Sequence, residues 1–292
     1  MDVTPNPVWL LEAQLGEGPA WFPGEQALRF VDIKRGLLCR YIPAEDKCET
    51  LELGGQPSFV VPADGGLVVG SGHRLHHVTD SRLGPVIADL DMPAHNRTND
   101  ATVDCFGRLW FGTMDNDETQ PTGALWCYDH GALHRLGCEA VVTNGPAVSQ
   151  DVRTLYLVDS GARAIWRLAI GFTAAGHPLI EQKEKFLQLD EADGYPDGVV
   201  LDAEGCLWVA LWDGWGVRRY APDGTLMCHI ALPCARVTKI AFGGPDLRTV
   251  YVTTARVGLD EAALARQPLA GALFAFDSPV SGLPLPTVQL AN

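Results

Sequence analysis

At 292 residues the chain is long enough for two domains or one large repeat array, and 47% apolar residues with a mean hydropathy of +0.03 predict a soluble globular protein with a substantial core. A formal net charge of -14, with no run of Lys or Arg, argues against phosphate-backbone binding, so no nucleic-acid partner is expected. No stretch approaches the roughly 18 consecutive apolar residues of a membrane span. The first residues, MDVTPNPVW, lack the basic flank of a signal peptide, and eight cysteines stand singly without CxxC spacing. Reduced thiols, among them Cys39, Cys206 and Cys228 on predicted strands, and a cytoplasmic location are the expectation.

Along the chain one unit recurs six times: a short apolar strand, a breaker-rich turn, a second strand, a turn and a third strand. The second strands align as LRFVDI (28–33), LVVGSG (67–72), LWFGTM (109–114), LYLVDS (155–160), LWVALW (207–212) and VYVTTA (250–255), spaced from about 39 to about 52 residues apart. The turns before them, such as PADGG, DCFG and DAEG, are rich in Gly, Asp and Pro. Third strands begin near Gly36, His73, Gly123, Arg163, Gly216 and Gly271. Both faces of the second strands are apolar, with Leu155 and Leu157 on one side and Tyr156 and Val158 on the other. A strand buried on both faces belongs between stacked sheets. A single all-β domain over residues 1–292, a six-bladed β-propeller around a central channel, is therefore predicted, and the polar residues at the strand entrances make that channel a metal-binding one. VWLLEAQ (8–14) would add a strand to the last blade and close the ring, and GLDEAALARQPL (258–269) would form the one short helix, capped by Asp260.

The first strand of each propeller blade lines the channel. Counting back 10 or 11 positions from each aligned Leu or Val gives Glu17, Gln56, Asn99, Asn144, Asp197 and Lys239, so five or six blades aim acids, amides and one amine at one mouth. An all-oxygen set of Glu, Asn and Asp suits a hard divalent cation with open positions. The eight histidines fall mostly on third strands or in loops and read as surface or packing residues, with His95, next to Asn96-Arg97-Thr98-Asn99, the exception. There is no GxSxG elbow, and neither Ser149 nor Ser160 has a triad partner nearby in sequence. Arg97 offers a rigid fork of donors for substrate oxygens, or alternatively pairs with Asp100 or Asp104 at the surface. Trp212 and Trp215 in LWDGWGV serve either as a wall for a ring-shaped ligand or as inter-blade packing.

Glu17 in LGEGPAW, Arg97 and Asn99 in NRTNDATVDCFGRLWFGTM, Asn144 in TNGPAVS and Asp197 in YPDGVVLDAEGCLWVA together resemble the senescence-marker-protein-30/gluconolactonase/regucalcin family over essentially the whole chain. FGGPDLRTVYVTTARVGL and PLAGALF resemble its bacterial sugar lactonases more than the animal regucalcins. The resemblance implies Glu17, Asn144 and Asp197 as ligands of one divalent cation (Ca2+, Zn2+, Mn2+, Mg2+ or Fe2+). It implies Arg97, Asn99 and Glu118 as substrate-binding residues, although the spacing of Glu118 to Gly123 departs from the animal pattern. Asp197 would also act in catalysis as general base. The implied activity is metal-dependent hydrolysis of aldono-1,5-lactones (glucono-, xylono-, arabinono- or galactonolactone) to aldonic acids, placing the chain among hydrolases of carboxylic esters. A non-enzymatic calcium-binding regulatory propeller and a protein-interaction propeller are the competing expectations.

Overall fold

The computed structural model describes residues 3–79 and 82–291, and it arranges them as six four-stranded antiparallel sheets. The innermost strands are Gly16–Phe22, Pro57–Ala63, Asn96–Val103, Thr143–Val148, Tyr195–Leu201 and Val237–Gly243, each packing beside the next around a central channel. The second strands follow the predicted alignment to within one residue at each end, from Ala27–Asp32 in the first blade to Thr249–Thr254 in the sixth. One α-helix, Glu261–Arg266, lies where expected, and the Asp260 carboxylate accepts from the Ala263 amide at 2.7 Å.

Alternation of apolar side chains along doubly buried strands produces one hydrophobic cluster at each blade-to-blade seam. Leu155 and Leu157 pack toward the third blade with Trp110, Leu125 and Cys127. Tyr156 and Val158 pack toward the fifth blade with Val199, Val209 and Leu211. The fully buried Trp208 joins the seam between the fifth and sixth blades, edge-on to Phe242 at 5.5 Å between ring centroids. A large buried side chain of this kind contributes about 1.5–3 kcal/mol through removal of apolar surface from water, so the seams dominate the stability of the ring.

Two sequence expectations need correction. Each blade has four strands rather than three. The missed outer strands, such as Lys47–Glu52 (KCETLE) and Pro178–Gln188 (PLIEQKEKFLQ), have largely exposed side chains, so they lack the two-sided apolar signal by which the inner strands are recognised. The ring closes through Asn6–Trp9, which pairs antiparallel with Leu273–Asp277, and not through residues 8–14. Beyond Trp9 the chain leaves the sheet: Leu10 is exposed, Glu12 takes a positive φ of 57°, and the Ala13 amide bonds the Gly271 carbonyl at 2.8 Å. Past the last blade, residues 278–291 run as a strap across the far mouth of the channel. Bridges from Gly282 to Asp202 and from Val288 to Ala63 pin it.

The Asp-x-x-Gly hairpins carry a second device. Asp202 Oδ1 accepts from the amides of Glu204 (2.9 Å) and Cys206 (3.0 Å), while Oδ2 accepts from Trp208 Nε1 and Arg219 Nε, both at 2.8 Å. Asp104 repeats the arrangement with Phe106, Arg108 and Trp110. These buried carboxylates fix the turn, the following tryptophan and a neighbouring arginine together. Replacing Asp202 by Ala strands the buried Arg219 and the Trp208 indole, so Asp202→Ala is expected to lose about 3–5 kcal/mol in urea unfolding. A loss below about 1 kcal/mol would show that the network is incidental.

Candidate active site

All six innermost strands break register where they enter the channel: at Glu17/Ala20, Pro57/Phe59, Thr98/Ala101, Asn144/Ala147, Pro196/Val199 and Val237/Lys239. A bulge re-aims a side chain that regular pleating would send into a seam. Asp197 therefore sits inside its strand, Tyr195–Leu201, in the bulge.

The structure brings Glu17, Arg97, Asn99, Glu118, Asn144 and Asp197 to one cavity of about 510 Å³. All but Glu118 are buried. Arg97 Nη1 donates to Asn99 Oδ1 at 2.7 Å and to the Thr98 carbonyl at 2.9 Å, and its Nε donates to Asn116 Oδ1 at 3.2 Å. Asn99 Nδ2 in turn donates to Asn144 Oδ1 at 2.7 Å, Asn144 Nδ2 to Ser160 Oγ at 3.0 Å, and Ser160 Oγ to the Pro196 carbonyl at 2.7 Å. This relay crosses three blades and ends one residue before Asp197. Burial rules out the alternative of a surface ion pair for Arg97. Asp104 is instead paired with Arg108 at 2.8 Å.

Glu118 stands on the rim in the turn after Leu109–Asp115, with a positive φ of 55°. The turn is wound on the buried Asp115 carboxylate, which accepts from the amides of Asp117 (3.0 Å), Thr119 (3.0 Å) and Gln120 (2.8 Å) and from Thr119 Oγ1 (2.9 Å). Those bonds hold the Asp115 carboxyl well below the usual carboxylate range against the opposing effect of burial. His95 bonds Thr122 Oγ1 at 3.1 Å and so anchors the far side of this loop, outside the cavity lining.

Electrostatically the site is frustrated. Burial, and then repulsion from Asp100, pushes Glu17 up to about 8, although the Gly18 amide donates to its Oε2 at 2.8 Å. Burial with repulsion from Glu17 and Asp100 raises Asp197 well above the carboxylate range, and its Oδ1 is buried without a hydrogen-bond partner. Burial draws Arg97 down to about 10 against the pull of Glu17, Glu118 and Asp197. Among the described residues no cluster of three His, Cys, Asp or Glu side chains has metal-binding geometry. The donor set here is two carboxylates and an amide oxygen, with one carboxylate oxygen unsatisfied, which fits a hard, oxygen-seeking divalent cation.

Two of the residues expected at this mouth are elsewhere. Gln56 precedes its strand and lies outside the lining, and Ser58 fills the inward position, donating to Thr98 Oγ1 at 2.7 Å. Lys239 is buried deeper, paired with Asp100. Trp212 lines the cavity beneath Arg236, whose guanidinium lies 4.8 Å from the ring centroid, whereas Trp215 is exposed. Lys34, Ser160, Tyr195 and Arg236 line the cavity without having been singled out for it; only the position of Ser160, at the end of an aligned second strand, carried a sequence signal. Because Asp197 Oδ1 is buried without a hydrogen-bond partner and lies near Glu17 and Asp100, cation-free Asp197→Asn protein is expected to be more stable than the cation-free parent by about 1 kcal/mol or more in chelator-containing denaturation. Equal or lower stability would mean that the orphaned oxygen costs nothing.

The SMP-30/Gluconolactonase/LRE-like region profile matches residues 15–256. The pentonolactonase XacC of Haloferax volcanii is 34% identical over 281 residues, covering 93% of both chains. A 6-deoxy-6-sulfogluconolactonase of Pseudomonas putida is 34% identical over 267 residues, 89% of this chain and 90% of the relative. The crystal structure of a calcium-binding regucalcin from Agrobacterium tumefaciens superposes with a TM-score of 0.91 at 27% identity, covering 98% of this chain and 97% of that one. The chain thus belongs to the SMP-30/gluconolactonase/LRE-like family.

Proposed function

We propose that the protein hydrolyses sugar lactones of the aldono-1,5-lactone class to aldonic acids, with one divalent cation held by Glu17, Asn144 and Asp197. The observation that carries this reading is the convergence of these three oxygen donors with the Arg97–Asn99 pair in one cavity of about 510 Å³. Relatives named as lactonases support the substrate class. A bound divalent cation supplies Lewis acidity toward an ester carbonyl. Asp197 Oδ1, buried without a hydrogen-bond partner, would take a proton from water as the water oxygen adds to the lactone carbonyl carbon, and give it to the ring oxygen as the acyl C–O bond breaks, leaving the open hydroxy acid. Arg97 commits Nε and Nη1 within the protein, leaving Nη2 without a protein partner among the described residues to donate to a substrate hydroxyl or carbonyl oxygen. Asn99, locked between Arg97 and Asn144, holds both groups in register. Glu118 at the rim accepts from sugar hydroxyls, and Trp212 and Tyr195 supply flat wall against the ring. No covalent nucleophile is needed for a strained ester.

A cation-binding role without catalysis is the second reading, favoured by the calcium-binding relative of closely similar fold. The eight free cysteines fit a reducing, cytoplasmic setting.

Acid release from a panel of pentono- and hexonolactones, with and without chelator, separates the two readings. Chelator-sensitive hydrolysis is expected, and its absence across the panel would contradict the lactonase reading. Glu17→Ala is expected to lose stoichiometric cation. Arg97→Ala and Asn99→Ala should chiefly raise KM, by an amount corresponding to about 1–3 kcal/mol for hydrogen bonds to a buried partner. Asp197→Asn, with cation occupancy verified on the same sample, should instead cut kcat far more than KM. Near-normal kcat in that sample would remove Asp197 as the base.

A further inference from the structure

Lys239 is the amine that alignment placed at the channel mouth and that the site as described does not use. It comes from the innermost strand of the sixth blade, Val237–Gly243, and its ammonium bonds the carboxylate of Asp100 on the innermost strand of the third blade. Those two blades stand opposite one another in a ring of six, so the side chain spans the channel. Its Nζ also donates to the Ala101 carbonyl at 3.0 Å, and both members of the pair are buried. The stem crosses directly over Gly198, where a Cβ would come within 2.4 Å of Lys239 Cγ. The residue after Asp197 is thus kept bare of side chain where the lysine passes. The pair forms a floor. Above it lies the cavity lined by Glu17, Asn144 and Asp197, and below it a second cavity of about 190 Å³, lined in part by Lys239 and closed by Leu283–Pro286 of the strap.

Three carboxylates, Glu17, Asp100 and Asp197, therefore share the middle of the channel with one ammonium, the Arg97 guanidinium lining the cavity above, and Asp100 Oδ2 is itself buried without a partner. We propose that Lys239 is a built-in counter-cation: from the opposite wall it anchors Asp100, offsets the charge of Glu17 and Asp197, and thereby sets the affinity of the site for a divalent cation below what the bare carboxylates would give. A buried ammonium opposes a dication over a short, poorly screened path, so its removal acts on binding and not only on folding. The inference rests on the cation reading of the preceding subsection.

Calorimetric titration of chelator-stripped protein with Ca2+ and with Mn2+ tests it, using the parent, Lys239→Met and the double variant Lys239→Met/Asp100→Asn, each checked for native far-UV spectrum. Lys239→Met is expected to bind the same single equivalent roughly tenfold more tightly. The double variant, which removes one charge of each sign, should return toward parental affinity. A merely structural role predicts the opposite sign, since disturbing the floor would loosen the ligands. Unchanged or weaker binding in Lys239→Met overturns the counter-cation role while leaving the cation site standing. Absence of binding in the parent overturns both. Should Lys239→Met fail to fold, the double variant decides: affinity within about threefold of the parent supports charge compensation, and loss of the site overturns it.

Discussion

The buried repulsion among Glu17, Asp100 and Asp197 is the constraint on which the rest of this molecule turns. Three carboxyl groups brought to one channel oppose folding, and burial raises all three above their ordinary range. Such a cluster persists only where the surroundings over-determine it. Here the surroundings are six apolar seams that leave each inner strand no alternative register, together with a bulge in every one of those strands that turns a polar residue inward. The seams supply stability in excess, and the channel uses part of it to hold charge where water cannot easily reach.

That arrangement explains the division of polar side chains along the channel. Amide and guanidinium groups tie the third, fourth and fifth blades into a relay from Arg97 through Asn99, Asn144 and Ser160 to the Pro196 carbonyl. The relay fixes Asn99 and Asn144 but leaves Arg97 Nη2 and one oxygen of Asp197 open toward the cavity. A hydrogen-bonded network that is complete except at a donor and an acceptor facing one cavity is pre-organised for a ligand and needs little rearrangement when one arrives. The Asp115-wound turn does the same work for the rim, presenting Glu118 from a loop whose backbone is fixed by a buried carboxylate.

Much of this was legible in the residues, for physical reasons that differ by position. Strands buried on both faces announce themselves, which is why the second strands and hence the six blades could be read from LYLVDS and its counterparts. The outer strands could not, because solvent tolerates KCETLE as readily in a loop as in an edge strand. Glu17, Asn99, Asn144 and Asp197, which share one cavity, are reached by counting back from an apolar anchor, and that arithmetic holds wherever the bulge falls at the same step. It misled at Gln56 and Lys239: in the second blade Ser58 is the residue turned inward, and in the sixth the bulge lies one step earlier, sending the lysine below the mouth. Asp100 stood beside Asn99 in plain view, but pairing with a lysine from the opposite blade, 139 residues away, leaves no local pattern.

The central claim is that Glu17, Asn144 and Asp197 hold one divalent cation at the channel mouth. Anomalous diffraction from crystals equilibrated with Mn2+ measures it most directly. A single strong peak within about 2.0–2.6 Å of oxygens from all three side chains is the predicted result. Peaks confined to surface carboxylates, with none in the channel, would contradict the account.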